Sequence, residues 1–413
     1  MQGKKIVIGL VVVVAAVGSY FLFFQNKGGE QADVAGETIK IVTSMPIRGG
    51  GIGGPMVEGI KLAMEEAHYK AGKFTIDWQV IDDGNASGTP DLDVEKKNAT
   101  EAAADPNVMV YLGPANSGAT KASIPIINAG GLAQLSPSAS YPGLTLPGYA
   151  PGEPGILYPT KIQTFFRTAP TVQVQAPAGA IWAKELGMKT IYVINDSDPS
   201  YGMGVTKLFV EKASEIGLTV VADKSISGKD MINLNKIIDD VVKVKPDMVY
   251  YGGLSTGGIV PFIKGIRAKG STAKVMGSHG ILSGSFLPDL GKDAEGVYGT
   301  SNSGDTVSSA GIMLPEEKAA NDRFAAQFGH EPGFLAMTSY EGAKVVLAAI
   351  EKAGKKDRAA ILAALASTKD YPGIFGKWSF KSNGDTDRIP RVSGNVVKKV
   401  GDTYKFEYVK PLN

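Results

Sequence analysis

Val108-Met109-Val110-Tyr111-Leu112-Gly113-Pro114-Ala115-Asn116-Ser117-Gly118-Ala119-Thr120, followed by Gly131-Leu132-Ala133-Gln134-Leu135-Ser136-Pro137-Ser138-Ala139-Ser140, decides the fold. The apolar run Val108 to Leu112 stops at Gly113-Pro114 and opens into a small polar loop, Asn116-Ser117-Gly118. A helical segment follows from Ala119 to Asn128 and is expected to end near Pro125, because proline has no N–H to donate. A second apolar run, Gly131 to Leu135, stops in another small polar loop, Ser136 to Ser140. Two strand-then-loop units in succession imply an open parallel sheet, in which ligands bind outside the carboxyl ends of the strands. Helix N-terminal N–H groups and serine hydroxyls together suit an anion. The pair of loops therefore reads as a carboxylate-binding cleft.

The chain on either side alternates in the same way. Thr38 to Ser44 is a β-branched strand, and Met56, Val57, Ile60, Ala63, Met64 and Ala67 recur at helical spacing. Strand Phe74–Ile81, helix Val94–Ala104 and strand Val108–Leu112 complete the first series. The second series takes strands at Thr190–Ile194, Thr219–Ala222, Met248–Tyr251 and Lys274–Met276, separated by helices at Gly204–Ile216, Asn233–Val242 and Ile259–Ala268. Strict alternation predicts parallel sheets with helices on both faces. The Pro- and Gly-rich segment Tyr141 to Pro159 divides the series, so the expected architecture is α/β, with two doubly wound parallel-sheet lobes and a ligand cleft between them.

A chain of 413 residues with 43% hydrophobic content can build two such cores. The 43 basic and 41 acidic residues nearly cancel, which argues against a nucleic-acid surface. The absence of cysteine excludes disulfides, zinc–thiolate sites and a lipid-modified N-terminal cysteine. At the N-terminus Lys4 and Lys5 precede an uncharged run, Ile6 to Phe24, which predicts a hydrophobic helix before the lobes. No Ala-x-Ala cleavage site follows it, so an uncleaved signal-anchor is favoured over a cleaved signal peptide for residues 1–36. The rest of the chain is expected outside the cytoplasm, with the positive residues held inside.

Two motifs imitate catalytic ones. Gly49 to Gly54 fits G-x-G-x-x-G, but Met45 to Arg48 separate it from the strand, where a dinucleotide fingerprint needs the turn at once. A glycine-rich cleft loop is the better reading, and no cofactor is expected. Gly253-Leu254-Ser255-Thr256-Gly257 matches the nucleophile elbow G-x-S-x-G. Of the three histidines, His68 precedes Ser255, His330 stands in a Gly-His-Glu-Pro turn, and no acid lies between Ser255 and His279. No catalytic residue is therefore assigned, and no metal-ligand spacing appears.

Several stretches resemble the leucine/isoleucine/valine-binding protein family, the type I periplasmic binding proteins of ABC transporters. They are Leu112 to Thr120, Leu135 to Ser140, Phe166-Arg167-Thr168-Ala169-Pro170, Ser200-Tyr201-Gly202-Met203-Gly204, Pro246 to Gly253 and Ala294 to Tyr298. The resemblance covers about Thr38 to Asp385 and implies two lobes joined by three crossovers, near 168–170, 300–303 and 376–377. Lobe 1 would then be 37–168 plus 301–374, and lobe 2 would be 169–300 plus 375–413. It further implies that Ser117, Ser138, Ala139 and Ser140 hold the ligand carboxylate and that Tyr201 covers it.

Where family members that bind amino acids carry acids for the ammonium group, this chain aligns Val172 and His279; one aromatic position falls near Ile52, and another becomes Leu254 or Ser255. An ammonium group in a closed cleft needs a carboxylate or several carbonyls, so the ligand is expected to keep a carboxylate and to lack the α-ammonium, unless Asp82, Asp83 or Asp196 substitutes. The function expected is that of a monomeric extracytoplasmic solute-binding protein delivering a small carboxylate-bearing ligand to an ABC permease. A membrane-anchored sensor of the same fold is the alternative, and a hydrolase on Ser255 is the third reading.

Overall fold

β1, Thr38–Met45, lies at the middle of the first sheet, buried on both faces from Ile41 onward. Its side chains alternate: Ile39 and Ile41 enter the core under helices Gly53–Glu66 and Ala336–Ala353, while Val42 points to the opposite cluster with Ala99, Tyr111 and Ile127. Burial of both faces explains its run of β-branched residues. The strands that complete this sheet are β2 (Lys70–Ala71), β3 (Phe74–Asp82), β4 (Val108–Leu112), β5 (Ala133–Ser136) and β6 (Phe165–Arg167), in the order β2-β3-β1-β4-β5-β6. All pairs are parallel except the short β2–β3 turnback.

The second sheet has the order β15-β14-β11-β10-β9-β7-β8. Its parallel part is β7 (Thr190–Asn195), β8 (Thr219–Ser225), β9 (Met248–Gly252), β10 (Lys274–Gly277) and β11 (Tyr298–Thr300). β7 feeds two cores in alternation, with Ile191 and Val193 on one face and Tyr192 and Ile194 on the other. A hairpin, β12 (Tyr371–Gly373) with β13 (Gly376–Trp378), stands apart, and antiparallel β14 (Ser393–Val400) and β15 (Thr403–Pro411) extend the second sheet.

This computed structural model describes residues 37–196, 200–226, 231–302 and 313–412. The expected N-terminal hydrophobic helix, Ile6 to Phe24, lies outside them. Among the described residues no helix is long and apolar enough to cross a membrane.

Two expectations change. Helix Ser117–Ala129 passes through Pro125 instead of stopping there. Ile124 and Ile127 on either side of the proline are fully buried, and Asn128 Nδ2 donates to Thr164 Oγ1 at 2.9 Å, so packing outweighs one missing backbone bond. The third crossover also lies later than 376–377. Phe375, Trp378 and Phe380 pack in the core of the first sheet, and Asp385 bridges β6 beside Arg167, so the chain leaves that sheet only in the segment 388–392. Residues 375–387 thus belong with the first sheet, because their aromatic side chains are buried there.

Candidate ligand-binding cleft

Both diagnostic loops emerge at the carboxyl ends of β4 and β5, side by side in a parallel sheet. They are laced together: Gly113 N–H donates to Leu135 O at 2.7 Å, Ser136 Oγ to Pro114 O at 2.6 Å, and Ser138 Oγ to Ala115 O. Asn116 caps the helix that starts at Ser117, accepting from Ala119 N–H at 3.2 Å, and Thr120 N–H makes the first intrahelical bond, to Asn116 O at 3.0 Å. The N–H groups of Ser117 and Gly118 precede that bond, at the positive end of the helix. Ser117 Oγ accepts from Tyr141 N–H at 3.1 Å, which leaves its own O–H to donate.

Ile52, Ala115, Asn116, Ser117, Ser138, Ser140, Phe334 and Leu335 line one side of the cleft, and Tyr201, Leu254, His279 and Gly280 the other. The space between them is narrow, about 30 Å³. The His279 and Phe334 rings meet across it with centroids 4.8 Å apart. Tyr201 is pinned by its hydroxyl, which donates to Ser278 Oγ at 3.0 Å and accepts from Gly280 N–H at 3.0 Å.

Seven of the nine residues expected at the site gather here: Ile52, Ser117, Ser138, Ser140, Tyr201, Leu254 and His279. Two do not reach it. Ala139 packs with Tyr141, Leu144 and Leu157 in a satellite core, its N–H held by Ser136 Oγ at 3.0 Å. Val172 is fully buried among Ala176, Trp182 and Tyr201 in the core of the second sheet. Phe334 and Leu335 were not foreseen. They precede helix Ala336–Ala353, and the Gly333-Phe334 step before that apolar helical run is the signal that points to them.

No carboxylate lines the cleft among the described residues. Asp82 is taken by Arg48, with Nε–Oδ2 at 2.7 Å, and by the N–H groups of Ile47 and Gly84. Asp196 accepts from Leu254 N–H at 2.7 Å and fills the space beside Gly253 and Gly257, where a Cβ would fall 2.6 Å from its Oδ2. That contact accounts for the two glycines of the G-x-S-x-G match. Ser255 itself accepts from Ser283 Oγ at 3.0 Å.

A narrow, hydroxyl-lined cleft between two α/β sheets defines a ligand-binding protein. The chain belongs to the periplasmic binding protein family, which matches residues 38–390. Proteins of this family bind ligands without transforming them, and the chain is not an enzyme. It is similar to the Leu/Ile/Val-binding protein BraC3 of Rhizobium johnstonii, with 25% identity over 336 residues, 81% of this chain and 84% of that protein. It is similar also to the leucine-, isoleucine-, valine-, threonine- and alanine-binding protein of Pseudomonas aeruginosa, with 26% identity over 85% of this chain and 88% of that one. Among solved structures, the leucine-binding protein LivK of Thermotoga maritima superposes with a TM-score of 0.74 and 25% identity, covering 89% of this chain and 97% of that one.

Proposed function

We propose that the chain is the extracytoplasmic solute-binding component of an ABC importer. Its ligand is a small carboxylic acid with an apolar body and no free ammonium group. The observation that carries the ligand reading is the charge pattern of the cleft: N–H and O–H donors suited to an anion at Ser117 on one side, and apolar or neutral groups at the other described lining residues. An ammonium group shut in with Ile52, Leu254, Phe334 and His279 would meet no carboxylate among the described lining residues, and an unpaired buried charge is costly. The names of its relatives favour branched-chain amino acids, whose side chains would suit the same apolar walls. Family membership supports delivery to a permease.

A thermal-shift screen of residues 37–413 separates the two ligand classes, since a ligand that binds only the folded state raises the melting temperature by mass action. L-Leucine, L-valine and L-phenylalanine are set beside 4-methylpentanoic acid, 3-phenylpropanoic acid and benzoate. The deaminated acids are expected to raise the melting temperature and the amino acids to leave it unchanged; the reverse result restores the amino-acid reading. Ser117→Ala removes a donor to the carboxylate and is expected to weaken binding by roughly 10- to 100-fold, as loss of a charge-assisted bond does. An unchanged affinity in that variant would take Ser117 out of the site.

A further inference from the structure

We propose that Tyr141 and Gly204 are positioning residues for ligand binding: neither is among the groups lining the cleft, and together they set how far the two sheets close. The inference rests on the binding reading above and adds residues outside the cleft to it. Tyr141 directly follows Ser140, and Gly204 lies one turn inside helix Tyr201–Glu215, whose first residue enters the cleft from the other side. The Tyr141 ring sits in the space that Gly204 leaves by having no side chain. A Cβ at Gly204 would fall 2.5 Å from Tyr141 Cδ2 and 2.9 Å from Cε2, closer than packed carbons approach.

The ring cannot easily yield, because Tyr141 is tied at every polar atom. Its N–H donates to Ser117 Oγ at 3.1 Å, its carbonyl accepts from Arg167 Nη1 at 2.7 Å, and its hydroxyl donates to the buried Glu153 at 2.7 Å. Tyr149 meets it edge to face at 5.8 Å and continues the contact, with Lys207 Nζ of the same helix 5.8 Å from the Tyr149 ring. The Pro- and Gly-rich segment after β5, which read in sequence only as a divider, therefore bears on the helix that presents Tyr201. A side chain at Gly204 would hold that helix away from the serine loop and leave the cleft partly open.

The test uses Gly204→Ala, Tyr141→Ala and the double variant of the full chain. Each is followed by melting temperature, by small-angle scattering without ligand, and by scattering and titration with L-leucine and with 4-methylpentanoic acid. Alanine is the better helix former, so Gly204→Ala is expected to melt no lower than the wild type. It is expected to show a larger radius of gyration and about tenfold weaker binding, because the closed state is populated less. Removing the ring in the double variant is expected to restore compaction and most of the affinity that Gly204→Ala lost. A purely structural role would not give that rescue. If Gly204→Ala matches the wild type in radius and affinity, or the double variant is no better than Gly204→Ala, the inference is overturned. The ligand-free scattering decides even if neither probe binds, so failure of the ligand reading is seen separately.

Discussion

Replacing Arg167 with alanine is expected to lower the unfolding free energy by about 3–5 kcal/mol, the usual cost of removing one partner of a buried ion pair, and to abolish ligand binding. Arg167 is fully buried at the end of β6. Its Nε donates to Asp385 Oδ1 at 2.7 Å, its Nη1 to Ala139 O at 3.1 Å and Tyr141 O at 2.7 Å, and its Nη2 to Thr145 Oγ1. The guanidinium thus holds the carbonyls on both sides of Ser140 and ties them to the returning segment 383–388. Without it, Asp385 loses its cation in a site where its side chain is only 7% exposed, and two carbonyls lose their donor. Arg167→Lys keeps the charge but not the planar fork, so it is expected to recover only part of the stability and little of the binding. Urea unfolding midpoints and ligand titrations of both variants check this. A lysine variant equal to the wild type in both would show that charge alone suffices.

The stability of the chain is expected to fall as pH rises from about 5 to about 8, the reverse of the usual carboxylate trend, because of Asp83 and Glu95. Both are fully buried beside β1 and helix Leu92–Ala104. Burial first, and then the neighbouring Asp82 and Asp91, push Asp83 up to about 7; burial and Asp83 push Glu95 up to about 8. Glu95 accepts from Ser44 Oγ at 2.6 Å and Tyr111 O–H at 2.9 Å, whereas neither carboxylate oxygen of Asp83 has a hydrogen-bond partner among the described residues.

The folded chain therefore holds these protons more tightly than the unfolded one. Their contribution is fully present below the unfolded values near 4 and is lost as pH rises through 7 and 8. Carboxylates held low, such as Glu66, act in the opposite direction and at lower pH. Asp83→Asn removes a charge that would otherwise form in the core, so it is expected to flatten the curve above pH 5 and to stabilise the chain at pH 8 by a few kcal/mol. Urea midpoints at intervals from pH 5 to 9 read the effect. A wild-type curve that rises across this window would refute the assignment.

Sequence and structure agree most closely where local chemistry and tertiary packing ask for the same thing. That Ser117, Ser138 and Ser140 come together at one cleft could be read from the sequence, because a short apolar run ending in a small polar loop has one natural place in a parallel sheet. Phe334 and His279 illustrate the opposite case. They are 55 positions apart in the chain, on opposite sides of the cleft, and nothing local announces that their rings meet at 4.8 Å. Val172 and Ala139 lie outside the cleft lining for a related reason: alignment to a motif gives a position along the chain, whereas the side chain's direction is set by the core it packs into. Pro125 read as a stop because its local cost is real, and burial of Ile124 and Ile127 outweighed it.

By itself the sequence determined the alternation of strands and helices, the two parallel sheets and the two hydroxyl loops, since each depends on residues within one turn or one strand of each other. Only the tertiary structure decided that Asp82 and Asp196 find their partners outside the cleft lining, where the chain makes its last crossing and which residues hold the two sheets together. Those depend on neighbours brought together from distant parts of the chain: Asp196 spent on the Leu254 loop, Trp378 and Phe380 buried under the first sheet, and the Tyr141 ring resting where Gly204 has no side chain.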